Sequence, residues 1–133
     1  MALDKILIID DDPGFLEITA AILRRFGYEV MTANNTTEGV NIIESGGPDL
    51  LILDIMMATM DEGLQFASQL RQRTESQKLP IIIVSAAPPT EKGYARTVEQ
   101  DMDWIAADLF MEKPVDPQSL KYNIDLLLKN RAC

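Results

Sequence analysis

Residues 49–54 read DLLILD, an apolar run held between two aspartates and too short to make a helix. An unbroken apolar run of this length predicts a strand buried on both faces, as in a parallel sheet. Three further runs share the pattern. KILIID (5–10) leads into Asp11-Asp12, IIIV (81–84) into Ser85, and LFME (109–112) into Lys113-Pro114. In open α/β sheets the ligand crevice lies outside the carboxyl ends of the strands, where the strand order reverses. Carboxylates, a hydroxyl and an ammonium are therefore expected to meet at one sheet edge. Metal-assisted phosphoryl transfer needs that set of groups.

Helical patterns fill the intervals. Asp12 is placed to cap a helix that opens with Pro13. Phe15, Ile18, Ile22 and Phe26 follow as an apolar stripe, and Gly27 ends it. YEVMTA (28–33) is a second, more exposed strand. Asn35 and Glu38 make a capping box for the next helix, which turns Val40 and Ile43 inward and stops at Ser45-Gly46-Gly47-Pro48. After Asp54 a Met-rich loop leads to a helix from about Gly63, with Phe66, Ala67 and Leu70 on one face. Pro80 opens the fourth strand, Pro88-Pro89 marks a loop, and a helix runs from about Thr90 to Trp104. Asp116-Pro117 repeats the cap-then-proline signal before a last helix. There Leu120, Ile124, Leu127 and Leu128 form one stripe, with Tyr122 and Leu126 on the opposite side. The alternation predicts a doubly wound (βα)5 α/β domain, a parallel five-stranded sheet with right-handed crossovers and helices on both faces.

A chain of 133 residues reads as one domain spanning 1–133, with a core from about 5 to 128. Its 21 acidic against 12 basic residues, a formal charge of −9, argue against direct nucleic-acid binding, which requires many phosphates to be neutralised. No run approaches the ~20 apolar residues that would insert in a membrane. Lys5 is followed by too few apolar residues for a signal peptide, so a cytoplasmic protein is expected. Cys133 is the only cysteine, which excludes an internal disulfide. The chain has no histidine, so histidine-based catalysis and most transition-metal sites are excluded.

Asp12 is accounted for as a helix cap. Asp10 and Asp11 end the first strand, and the interval from Asp11 to Asp54 has room for two strand–helix units. Winding back once would set the ends of strands one and three side by side. Carboxylates brought that close repel one another unless a cation intervenes. Clustered hard oxygens suit Mg²⁺, or Mn²⁺ in its place. A carboxylate is also a competent nucleophile toward phosphorus, forming an acyl phosphate. Lys113 supplies a point charge for the phosphoryl oxygens and Ser85 a hydroxyl donor.

These residues resemble the receiver domain of two-component response regulators, of the chemotaxis-regulator kind, from about Lys5 to Leu128. ILIIDDDPG resembles the family's first strand and acidic pair. LLILDIMMATMD resembles the stretch around the phosphoacceptor, commonly DxxMPxMDG. IIIVSA and FMEKP resemble the Ser/Thr strand and the lysine–proline segment. The resemblance implies a flavodoxin-like sheet of order 2-1-3-4-5 with Asp54 as phosphoacceptor. It implies Mg²⁺ held by Asp10, Asp11, Asp54 and the backbone carbonyl of Met56, with Ser85 and Lys113 on the phosphoryl oxygens. Phe110 falls at a switching position coupled to Ser85. The implied partner is a histidine kinase or a histidine phosphotransfer protein. The implied output is a downstream protein, or self-association, through the fourth helix, fifth strand and last helix. A receiver of this kind is a phosphoacceptor that assists its own phosphorylation and dephosphorylation rather than an enzyme.

The chain departs from the family at several places. Ala58 stands where proline is usual, Asp61-Glu62-Gly63 carries one residue more than the common Asp-Gly pair, and Ala106 replaces a frequent glycine. The span from Ser85 to Lys113 is several residues longer than usual. The chain ends about where the last helix should, leaving no room for an output domain within it. Two other readings stay open. A haloacid-dehalogenase-like phosphatase would use Asp10 as nucleophile, though it leaves Asp54 unexplained and lacks length for a substrate-covering cap. A receiver-like binding module would work by shape, without phosphorylation.

Overall fold

Five strands build a single parallel sheet in the order β2-β1-β3-β4-β5. They are β1 (Lys5–Ile9), β2 (Glu29–Ala33), β3 (Leu50–Asp54), β4 (Ile81–Ser85) and β5 (Leu109–Glu112). Among the described residues three helices accompany them: α1 (Pro13–Arg25), α2 (Thr36–Glu44) and α3 (Pro117–Arg131). The computed structural model describes residues 4–45, 47–54, 79–85 and 109–131, without the side chains of Ser85, Phe110, Asn130 and Arg131. The helices expected near Gly63 and over 90–104, with Phe66, Ala67, Leu70 and Trp104, lie outside the described residues. So do Met56, Ala58, Asp61-Glu62-Gly63 and Ala106. The doubly wound sheet is as expected, with strand ends shifted by at most one residue.

The two-residue period of the strands sorts the core into two layers. Leu7, Ile9, Leu51, Leu53, Ile81 and Ile83 face one way, onto Ile43, Val40 and Ile42 of α2. Ile6, Ile8, Leu50, Ile52, Ile82 and Val84 face the other way, onto Ala20 and Leu23 of α1 and Leu120 and Ile124 of α3. All of these strand residues are buried. Each such burial contributes about 1.5–3 kcal/mol.

Capping follows the sequence signals. The Asp12 carboxylate accepts from Gly14 N at 3.0 Å, and Asn35 accepts from Glu38 N at 2.8 Å. Asp116 accepts from Ser119 N at 2.9 Å at the start of α3. At the end of α1, Gly27 takes φ +100°. Gly27 N donates to Arg24 O and Tyr28 N to Leu23 O, the paired bonds of a Schellman turn.

The α1 stripe is placed differently from expectation. The buried residues are Thr19, Ala20 and Leu23, whereas Ile18 is 63% exposed and Phe15, Ile22 and Phe26 are half-buried. Leu23 and the small Ala20 take the centre of the buried face, and Phe15 and Phe26 pack at its edge. Phe15, Ile18 and Ile22 instead line an apolar cleft of about 220 Å³ with Pro114, Val115 and Leu120.

Candidate functional site

The sheet register brings the aspartates together. Ile9 pairs with Leu53, so the next residues, Asp10 and Asp54, sit side by side at the carboxyl edge. Both keep the parity of the strand residues that face α1 and α3. Asp10 is completely buried and Asp54 is 4% exposed, while Asp11 is exposed. One carboxylate oxygen from each of Asp10, Asp11 and Asp54 lies within 4.8 Å of the others. Three hard oxygen donors converging from two strand ends fit a Mg²⁺-sized cation, which favours carboxylates and keeps several waters.

Lys113 completes the cluster from the segment that leaves β5. Its Nζ donates to Asp10 Oδ2 at 2.7 Å and lies 3.6 Å from Asp54 Oδ2. The lysine side chain is 18% exposed, so much of this pairing is withdrawn from water. The other oxygen of Asp10, Oδ1, accepts from Asp12 N at 2.9 Å. Both oxygens of the buried Asp10 are thus engaged, as a buried carboxylate requires. Three carboxylates against one ammonium leave the pocket formally negative, an arrangement that draws a cation.

A ring also borders the site. Lys113 Nζ lies 4.1 Å from the centroid of Phe15, within the range of a cation–π contact. In the sequence Phe15 belongs only to an apolar stripe, and nothing there marks it as a neighbour of Lys113. The spacing within DDDPGF is local, but the lysine arrives from the far end of the chain.

Of the expected site residues, Asp10, Asp11, Asp54 and Lys113 are brought together. Asp12 is turned away from the cluster and caps α1. The backbone of Ser85 ends β4 opposite Glu112, and Phe110 pairs with Ile83. The side chains of Ser85 and Phe110, and the carbonyl of Met56, lie outside what is described.

The description "response regulator receiver domain" belongs to a family model that matches residues 6–125. Protein PilH of Pseudomonas aeruginosa is 30% identical over 129 residues, covering 93% of this chain and 97% of PilH. Other curated relatives are longer: the chain spans 48% of one from Bacillus subtilis and 53% of one from Synechocystis. Among solved structures, a CheY-like receiver domain protein from Methanospirillum hungatei matches with a TM-score of 0.82 at 30% identity over 98% of both chains. Response regulator TrrA of Thermotoga maritima, solved in complex with Mg²⁺ and BeF, matches with a TM-score of 0.76 at 29% identity. That match covers 94% of this chain and 99% of TrrA.

Proposed function

The chain belongs to the response regulator receiver domains of two-component systems, and on that premise we propose that it takes a phosphoryl group onto Asp54. The donor is a histidine kinase or a histidine phosphotransfer protein, and the compartment is the cytoplasm. The observation that carries this reading is the pairing of Lys113 with both Asp10 and Asp54 beside a three-carboxylate cluster.

Asp54 is the nucleophile in this reading. Asp10 is ill suited to that task, since Asp12 N and Lys113 hold its two oxygens. Asp54 lies beside the same ammonium at the longer distance of 3.6 Å. As an Asp54 oxygen bonds to phosphorus, the phosphorus–nitrogen bond of the donor histidine breaks and its electron pair leaves with the imidazole. Lys113 balances charge on the phosphoryl oxygens, and the Ser85 hydroxyl donates to them. Asp10, Asp11 and Asp54, with the Met56 carbonyl, would hold Mg²⁺ or Mn²⁺. Bound there, the ion supplies neutralisation of phosphoryl charge. The Mg²⁺ and BeF carried by the related TrrA support that assignment.

The output in this reading is a population shift in which Ser85 and Phe110 repack and alter a partner-binding face. That face comprises the helix expected over 90–104, β5 and α3. Tyr122 and Leu126 of α3, 68% and 41% exposed, are apolar side chains turned to solvent and support it. The acidic charge favours a protein partner over nucleic acid.

Incubation with acetyl phosphate and Mg²⁺, followed by reductive trapping and mass spectrometry, tests the acceptor. One label at Asp54 is expected, and none in Asp54→Asn. Label on Asp10 would overturn the assignment.

A further inference from the structure

Phe15 sits five residues beyond Asp10, in the first turn of α1, half-buried and with its ring beneath the Lys113 ammonium at 4.1 Å. We propose that Phe15 is a positioning residue for phosphoryl transfer, its ring face holding the Lys113 ammonium over the acceptor carboxylate. The proposal rests on the reading of Asp54 as acceptor.

A lysine side chain is a point charge on a flexible stem and follows whatever anions surround it. Its partners here among the described residues are Asp10, Asp54 and the Phe15 ring. Both carboxylates belong to the cluster that would bind a cation or a phosphoryl group, so their pull on Lys113 changes as that cluster fills. The ring does not titrate and binds no metal. Its attraction for an ammonium comes from the quadrupole and stays constant throughout.

Local structure makes the ring a fixed support. Pro13 opens α1, and the Asp12 carboxylate accepts from Gly14 N immediately before Phe15. The segment Asp10–Phe15 therefore carries the acidic pair, the cap and the ring as one rigid unit. Lys113 is clasped between the first part of that unit and the last.

The test compares the parent with Phe15→Leu, Phe15→Tyr and Ile18→Ala. Leucine fills similar space in the cleft but has no quadrupole, and Ile18 lines the same cleft without belonging to the cluster. Acetyl phosphate with Mg²⁺ serves as donor, so that protein docking has no part in the rate. Phosphorylation of Asp54 should slow about tenfold in Phe15→Leu and stay within about twofold of the parent in Phe15→Tyr. Ile18→Ala should match the parent. In NMR spectra the Lys113 ε-methylene should show an upfield ring-current shift in the parent and in Phe15→Tyr, absent from Phe15→Leu. A parental rate in Phe15→Leu, or a ring-current shift that survives there, overturns the proposal. Should Phe15→Leu not fold, Phe15→Met carries the same comparison. A parent that takes no label overturns the acceptor reading itself, whereas failure at Phe15 leaves the parent labelled and the variants indistinguishable from it.

Discussion

Asp11 and Asp12 are adjacent, formally identical in charge and both exposed, yet they serve different ends. Asp11 points an oxygen into the cluster with Asp10 and Asp54, and Asp12 turns to Gly14 N. Asp11→Ala should weaken Mg²⁺ binding, read by titration calorimetry, far more than Asp12→Ala. Asp12→Ala should cost about 1 kcal/mol of stability through the lost cap. Equal losses of metal affinity would show that the division is wrong. Asp10, Asp11, Asp54 and Lys113 were legible as a group because each follows an apolar run, and parallel strands deliver such residues to one edge. The second engagement of Asp10, with Asp12 N, was not legible. It is an Asx turn, a local pattern open to any aspartate, and the sequence does not say which of three consecutive aspartates adopts it. Phe15 was legible only as an apolar residue, because its partner lies on the segment after β5.

At the scale of elements, strand positions were readable to within a residue because continuous apolar runs have few other uses. The buried face of α1 was not. Phe15, Ile18, Ile22 and Phe26 make the more conspicuous stripe, but Leu23 and the small Ala20 and Thr19 fit against the sheet. Hydrophobic size points to the wrong face when a helix packs close to a sheet and also flanks another helix. The two turns that end α1 and follow α2 allow a comparison of glycines. A Cβ on Gly27 would meet nothing within 4 Å, so Gly27→Ala should cost only its left-handed backbone strain, about 1–2 kcal/mol. Gly47 has φ +46°, and a Cβ there would lie 2.8 Å from the Ile43 carbonyl oxygen. Gly47→Ala should therefore be the more damaging of the two in urea unfolding. The reverse order would mean that the Gly47 backbone gives way.

Across the molecule, one polar link joins the α1–β2 corner to α3. The Tyr28 hydroxyl donates to Asp125 Oδ1, and Lys121 Nζ donates to Asp125 Oδ2 at 2.7 Å. Burial, then the hydrogen bond to Asp125 and its charge, raises the Tyr28 pKa above the ordinary tyrosine value, and Asp4 adds to this. The folded protein therefore keeps a proton that the unfolded chain releases above about pH 10, so this stabilisation is complete below that pH and fades above it. Tyr28→Phe should lose about 1 kcal/mol at pH 8, a gap that narrows above pH 10 in unfolding experiments. A gap independent of pH would exclude the linkage. For Asp125, partial burial opposes ionisation, but the hydrogen bonds from Lys121 and Tyr28 prevail and lower its pKa. Its contribution holds above the ordinary carboxylate range and is lost as the pH falls through and below it.

The helix α3 is turned with Leu120 and Ile124 inward and Tyr122 and Leu126 outward. Tyr122→Ala with Leu126→Ser should abolish any phosphorylation-dependent self-association or partner binding, followed by light scattering or titration, while Asp54 still accepts label. Undiminished association would locate the output surface elsewhere. Lys113 lies 103 residues after Asp10 in the chain. During synthesis the strands that bring Asp10 and Asp54 leave the ribosome before the segment carrying the lysine does. A nascent chain thus carries both strand-end aspartates before it carries the lysine that pairs with them. The cluster is complete only when translation has passed β5, so a chain interrupted before that point lacks the ammonium that pairs Asp10 with Asp54.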